Sequence, residues 1–570
     1  MAGSASQKWL VRSAGLQACL VALLLTGLRA QSSVTADRLA NAAKEPQNWL
    51  TYSGGYFSQR YSALNQIDLT NVRNLEQKWV YQGAVAGGWQ TTPIVVDGVM
   101  YITQRPNDVL ALDPKTGRVF WIYQHVPSPE ARVCCGSNNR GLGILGDTLF
   151  MATLDGQLIA LDAKSGKPLW RTLVADPKAG YSFTLAPLVV KDEVIVGVGG
   201  GEYGIRGYIS AHDAKTGKER WRFYTVPGPG EAGHETWRPC PPNSATFCDP
   251  DAWKHGGGSI WVTGSYDPVA NLTYWGVGNA GPDWSADQRP GDNLYTDSVV
   301  ALDADTGKLR WHYQFTPHDR YDYDSVQVPV LADINWNGGP VKAMLWANRN
   351  GNFYVLDRIT GRFLMGKAFV KANWLSGFDE RGRPIQTVQP EGSPTWPGNQ
   401  GGTNWYSPSF SPRTGLFYVS AWEDYATIFA GTPIEYREGQ QFGGNASRPY
   451  VAVPGAPAVG GGRRGPINSW TEAAGHGAVI AIDPENGSHK WKFDMTDVSI
   501  AGILTTASDV LFTGSNEGYF QALNAKTGAL LWKASLGGPI ASAPMTFQID
   551  GKQYVSVVSG LSLVTFALRD

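Results

Sequence analysis

Residues 160–170 read A-L-D-A-K-S-G-K-P-L-W, and the pattern returns along the chain. Residues 111–121 read A-L-D-P-K-T-G-R-V-F-W, and residues 211–221 read A-H-D-A-K-T-G-K-E-R-W. Residues 301–311, 481–491 and 522–532 repeat it. Residues 355–365 carry a worn copy with Met365 in place of tryptophan. The pattern has a mechanical meaning. An apolar pair ends one strand, and an Asp or Asn side chain bonds the backbone of the turn that follows. The Gly supplies a left-handed conformation that a side chain would oppose. The next strand carries a Trp large enough to wedge between neighbouring units.

The shortest steps between copies are about 40–50 residues, the period of propeller blades. Such a unit cannot bury its faces alone, so copies must stack. Residues 74–80 (N-L-E-Q-K-W-V) look like the last strand of a blade, with Trp79 at the template position, yet no template precedes them. Residues 551–568 supply strands with no Trp after them. Joining the two ends completes one more blade and removes two sheet edges. The expectation is an all-β, eight-bladed β-propeller with tryptophan-docking repeats, closed by pairing of N- and C-terminal strands.

Composition agrees. Apolar residues make up 42% and charged residues 17%, with 68 Gly, 22 Trp and 24 Tyr, a turn-rich and aromatic-rich β composition. A net charge of −1 implies no nucleic-acid partner. Residues 1–30 read as a secretory signal. Lys8 and Arg12 form a charged start, residues 14–25 an apolar run too short for a membrane span, and Leu28-Arg29-Ala30 a cleavage site. Cys19 lies inside this run, with its most apolar part (residues 20–25) after the Cys instead of before it, which argues against a lipid anchor. Residues 31–570 are then one exported propeller domain in an oxidising compartment, the periplasm, with no integral span. Three intervals are too long for a blade, at about 227–255, 371–402 and 427–470, and read as rim insertions that cap one face. The last contains the glycine-rich run 455–465. The four remaining cysteines fall into two natural pairs, Cys134 with Cys135 and Cys240 with Cys248. The second reads as a structural disulfide. Adjacent cysteines ordinarily mean two separate bridges or a metal cluster. A vicinal bridge would strain the peptide between them, as happens at functional sites.

The Cys134-Cys135 pair in V-C-C-G-S-N-N-R, the G-G-G-E of residues 199–202, Trp261 in G-G-G-S-I-W and the Y-D-Y-D of residues 321–324 together resemble the quinoprotein alcohol dehydrogenases of the methanol/ethanol dehydrogenase type. These are eight-bladed propellers that bind pyrroloquinoline quinone (PQQ), and the likeness covers essentially the whole mature chain. It implies that a Cys134–Cys135 disulfide ring stacks on one face of PQQ and Trp261 covers the other. It implies that Arg140, Thr184 and Asn404 contact the cofactor, and that Gly200 and Gly201 lie against it. Family members often carry Ser-Gly-Ala-Glu where this chain has Gly199 to Glu202, so Gly199 offers no side-chain contact. The resemblance further makes Glu202, Asn279, Asp322 and Asp324 metal ligands, Asp322 the catalytic base, and Arg349 the cation beside the quinone oxygens.

The chemistry is consistent with those assignments. Three PQQ carboxylates call for Arg and hydroxyl or amide donors. Oxygen ligands select one hard cation over zinc or copper. Lanthanide-type members of this family resemble this chain in having an aspartate at position 324, where calcium-type members have a small neutral residue. An added carboxylate suits a trivalent ion, which favours lanthanide(III) over Ca²⁺. No Cys-x-x-Cys-His occurs in the sequence, so no c-type haem is attached covalently to it and electrons must leave to a separate acceptor, which the resemblance makes a soluble cytochrome c. The expected reaction is oxidation of a primary alcohol to the aldehyde; the sequence does not fix the oligomeric state, although a homodimer is common among the enzymes it resembles. Two other readings remain open from sequence: a PQQ enzyme for polyols, secondary alcohols or sugars, and a non-catalytic propeller scaffold.

Overall fold

Each template becomes the third and fourth strands of a four-stranded antiparallel blade in the computed structural model, which describes residues 1, 33–85, 89–242, 248–390, 392–444, 448–449 and 475–569. The signal-like segment, Cys19 and the 455–465 run lie outside the described residues. Blade 1 comprises Ile94–Val96, Val99–Gln104, Asp108–Leu112 and Val119–Tyr123. Blades 2 to 7 occupy residues 143–173, 188–224, 265–314, 330–368, 409–495 and 504–535. Blade 8 joins Met545–Ile549, Lys552–Ser559 and Ser562–Leu568 to Leu75–Gln82, so the chain ends meet in one sheet, with Leu75 opposite Leu568.

In every template the small residue at its start lies opposite the Trp (or Met365), as in Ala111 and Trp121 or Ala211 and Trp221. A one-residue bulge follows and turns the outer strand. The Trp then docks on the next blade. Trp79, Trp121, Trp170, Trp221 and Trp491 each donate an indole N–H to a backbone carbonyl of the following template turn, at Pro114, Ala163, Ala214, Ala304 and Ala525. The turn glycine lies flat against that ring. A Cβ on Gly217 would sit 2.6 Å from Trp170, and Gly217 has φ +73°, so conformation and space both demand glycine there. Trp311 packs on Gly361 in the same way without the hydrogen bond. Where Met365 replaces Trp, its Cε reaches to 3.2 Å from the Cβ position of Gly487.

The three inner strands of a blade are buried on both faces, while the outermost alternates half-buried and exposed. The inner edges at the axis are covered by residues 49–62. This segment bonds to blade 1 through Trp49 and Val95, to blade 4 through Tyr56 and Tyr266, to blade 5 through Phe57 and Leu331, to blade 6 through Gln59 and Phe410, and to blade 7 through Tyr61 and Thr505. Innermost strands that would otherwise present open edges are thereby satisfied. Among the described residues no helix is long and apolar enough to cross a membrane.

Candidate active site

A four-stranded antiparallel blade puts the entry to its first strand and the link between its second and third strands at one end, and the template turn at the other. The site residues expected from sequence follow this rule. Arg140, Thr184, Trp261, Asp322, Asp324 and Asn404 each precede the innermost strand of blades 2 to 6. Glu202, Asn279 and Arg349 lie in the links between second and third strands of blades 3, 4 and 5. All nine therefore gather at one end of the axis. The three rim insertions emerge from the same end.

The Cys134–Cys135 disulfide is formed, as is Cys240–Cys248. Cys135 has φ +65°, a left-handed conformation costly for a non-glycine residue and characteristic of functional sites. Its Sγ lies 3.6 Å from Glu202 Oε1. Glu202 follows Gly200 and Gly201 at the start of a short 3₁₀ turn. A Cβ on Gly200 would fall 2.0 Å from the Gly180 carbonyl, which fixes glycine there. Burial pushes the Glu202 carboxyl up to about 7.

Arg140 is buried, and its Nη1 donates to Thr184 Oγ1 (2.9 Å), to the Thr184 carbonyl (3.3 Å) and to the Trp261 carbonyl (3.1 Å). Its guanidinium lies 5.0 Å from the rings of both Trp261 and Trp405. Among the described residues no carboxylate pairs with it, and its Nε has no hydrogen-bond partner. Burial brings it down to about 10. A buried cation without an anion is expensive unless an anionic group arrives to meet it.

Across the axis Arg349 is answered twice. Its Nη2 lies 2.7 Å from Asp322 Oδ2 and its Nη1 2.5 Å from Asp324 Oδ2, while its Nε donates to the Asn399 carbonyl. Burial opposes its charge, but Asp322, Asp324 and Asp319 outweigh burial and hold the guanidinium firmly protonated. Asp322, at φ +59°, is half-buried, and burial followed by the neighbouring carboxylates pushes its carboxyl upward. Asp324 Oδ1 accepts from the Asn279 amide N–H (3.0 Å). The Asn279 side-chain oxygen points toward Gly201, 3.8 Å from its Cβ position. The oxygens of Glu202, Asp322 and Asp324 do not all come within 4.8 Å of one another, and Arg349 holds the two aspartates.

Sequence reasoning missed several neighbours. Asp283 accepts from Asn279 Nδ2 (3.0 Å), and burial together with the Glu202 charge raises its carboxyl. Asp319, pushed up to about 6 by burial, accepts from the backbone of Tyr321 and Tyr323 and so shapes the loop that carries Asp322. Acidic spacing in N-A-G-P-D and H-D-R-Y-D-Y-D was the available signal. Residues from two of the long intervals lie against this end. Phe442 N–H donates to the Glu202 carbonyl, and Phe429 stacks on Trp284 and meets Tyr321 edge-on at 5.2 Å. Trp374 donates to the Asn350 carbonyl beside Arg349.

Fold and site together define a propeller dehydrogenase, and comparison with known proteins bears this out. Residues 49–368 and 494–555 match the family model described as glucose/ethanol/alcohol dehydrogenase, beta-propeller domain. The chain belongs to the PQQ-dependent alcohol dehydrogenases. It is 39% identical to the quinohemoprotein alcohol dehydrogenase ADH IIB of Pseudomonas putida, over 96% of this chain and 78% of that protein. It is 37% identical to the 1-butanol dehydrogenase (cytochrome c) of Thauera butanivorans, over 90% of this chain and 74% of that one. A solved europium-containing methanol dehydrogenase superposes with a TM-score of 0.83 at 34% identity, covering 93% of this chain and all of that one.

Proposed function

We propose that this chain oxidises a primary alcohol to the aldehyde in the periplasm, with PQQ and one metal ion held at the axis and electrons passed to a separate soluble cytochrome c. The observation that carries the reading is the pair of buried arginines: Arg349 is held by two carboxylates, while Arg140 has none. The residues fit the cofactor. Arg140 and Thr184 offer donors for a carboxylate, with Asn404 as a further contact. Trp261 and the Cys134–Cys135 ring supply flat apolar faces, and Gly200 and Gly201 allow close approach. Glu202, Asn279, Asp322 and Asp324 are the oxygen donors for a hard cation.

When bound, PQQ supplies a quinone carbonyl that accepts two electrons as hydride, polarised by the cation as a Lewis acid. The protein's own part is proton handling and positioning. Oxidation removes a proton from the hydroxyl and a hydride from the carbon that bears it. Asp322 accepts that proton at a side-chain oxygen, as general base. Arg349 fixes Asp322 through the 2.7 Å contact and places positive charge where negative charge develops. The capping insertions exclude water and shape the alcohol pocket.

Asp324 supports a lanthanide ion over Ca²⁺, and the likeness to a europium-containing enzyme points the same way. Dye-linked oxidation of primary alcohols by the purified chain tests the whole reading, with PQQ added and lanthanum or calcium supplied separately. The expected result is activity with lanthanum that Asp324→Ala abolishes. Activity with calcium alone would overturn the lanthanide assignment, and oxidation of polyols or sugars in preference to primary alcohols would overturn the substrate class.

A further inference from the structure

Tyr406 sits one residue beyond Trp405 and two beyond Asn404, in the segment that enters blade 6. Its side chain is 3% exposed and packs with Trp422, Tyr425 and Val498. The ring meets Trp405 at 5.7 Å, and Trp405 lies over the Arg140 guanidinium. Its hydroxyl is buried and has no hydrogen-bond partner among the described residues. The neighbouring tyrosine, Tyr425, differs on this point, since its hydroxyl donates to Asn399 Oδ1 at 2.8 Å. Burial raises the Tyr406 phenol, so it is a neutral donor, and it interacts electrostatically with Arg349. The segment thus stands between the two buried arginines, with Trp405 on Arg140 and Tyr406 toward Arg349.

A buried hydroxyl with no partner costs folding free energy. One reason for a chain to retain it is that a group outside the chain accepts its hydrogen bond. We infer that the Tyr406 hydroxyl is a cofactor-binding donor, which hydrogen-bonds an oxygen of PQQ on the edge facing Arg349. The inference rests on the reading that PQQ binds at this end of the axis, and it adds a contact that the motif positions do not include.

The test compares wild type with Tyr406→Phe, which keeps the ring and removes only the hydroxyl. PQQ is titrated into the cofactor-free protein, and its dissociation constant is read from tryptophan fluorescence quenching. The melting temperature is recorded with and without PQQ. The expected result is roughly five- to tenfold weaker PQQ binding, the loss of one hydrogen bond. The cofactor-free variant should melt at the same temperature as wild type or higher, because an unmet polar group has been removed. A lower melting temperature without PQQ would mean that the hydroxyl is bonded within the protein, and would overturn the inference. Unchanged PQQ binding in the variant would do the same while leaving the site itself intact. Failure of wild type to bind PQQ would instead remove the site, and the inference with it.

Discussion

The two ends of the propeller are built from the same strands and obey different rules. At the template end the turns solve one problem in one way: an Asp or Asn bonds its own turn and a left-handed Gly lies flat on the Trp of the preceding blade, with Gly487 on Met365 the exception. At the opposite end no two links are alike. There the chain places a vicinal disulfide, left-handed non-glycine residues that include Cys135 and Asp322, and carboxylates whose protonation is displaced by burial. Repetition stabilises and irregularity reacts, and the blade separates the two by the length of one strand.

The largest expected effect lies at the irregular end. Asp322→Asn keeps the shape and removes the base, and turnover should fall by roughly 10³-fold with an unchanged melting temperature. Steady-state alcohol oxidation beside a thermal melt checks this. A large drop in melting temperature would mean that Asp322 is also structural and that the two ends are less separate than they look. The next effect lies at the template end. Trp221→Ala removes a ring that fills the step between blades 3 and 4 and bonds the Ala304 carbonyl and Glu193. It should cost about 3–5 kcal/mol of stability, read from urea unfolding, while kcat of the folded fraction stays within twofold. The smallest effect sharpens the comparison through pH. Bonds from Arg220 and Thr216 hold the Asp213 carboxyl down to about 2, against roughly 3.9 in an unfolded chain. Its contribution to stability is complete above about pH 4 and is lost as pH falls toward 2. Asp213→Asn should therefore melt slightly below wild type at pH 7, and the gap should close by pH 2. A gap that is constant with pH would mean that the carboxylate charge contributes nothing to the turn.

Legibility in the sequence followed the same division. The templates were visible because one physical solution recurs, so blade number and the closing strand from residues 74–80 could be read from spacing. The site was visible only where a motif is singular, as in Cys134-Cys135 or Y-D-Y-D. Asp283 and Tyr406 escaped because their significance lies in what they touch or fail to touch across blades, and nothing local marks an unbonded hydroxyl. Residues 49–62 escaped for a related reason. They carry no template and no regular alternation, because each residue answers a different blade.

The join in blade 8 has a bearing on how the molecule comes into being. The strand containing Trp79 precedes all seven template blades in the chain, whereas its partner, Ser562–Leu568, follows them. Until the two pair, the first strand is an open edge, and the ring that orders the axis does not exist. Seven blades can form from neighbouring sequence, but the eighth needs Leu75–Gln82 to pair with Ser562–Leu568 across almost the whole chain. Closure of the ring therefore carries the largest loop-closure entropy in the molecule, and a chain lacking Ser562–Leu568 would keep all of its templates and leave Leu75–Gln82 an open edge.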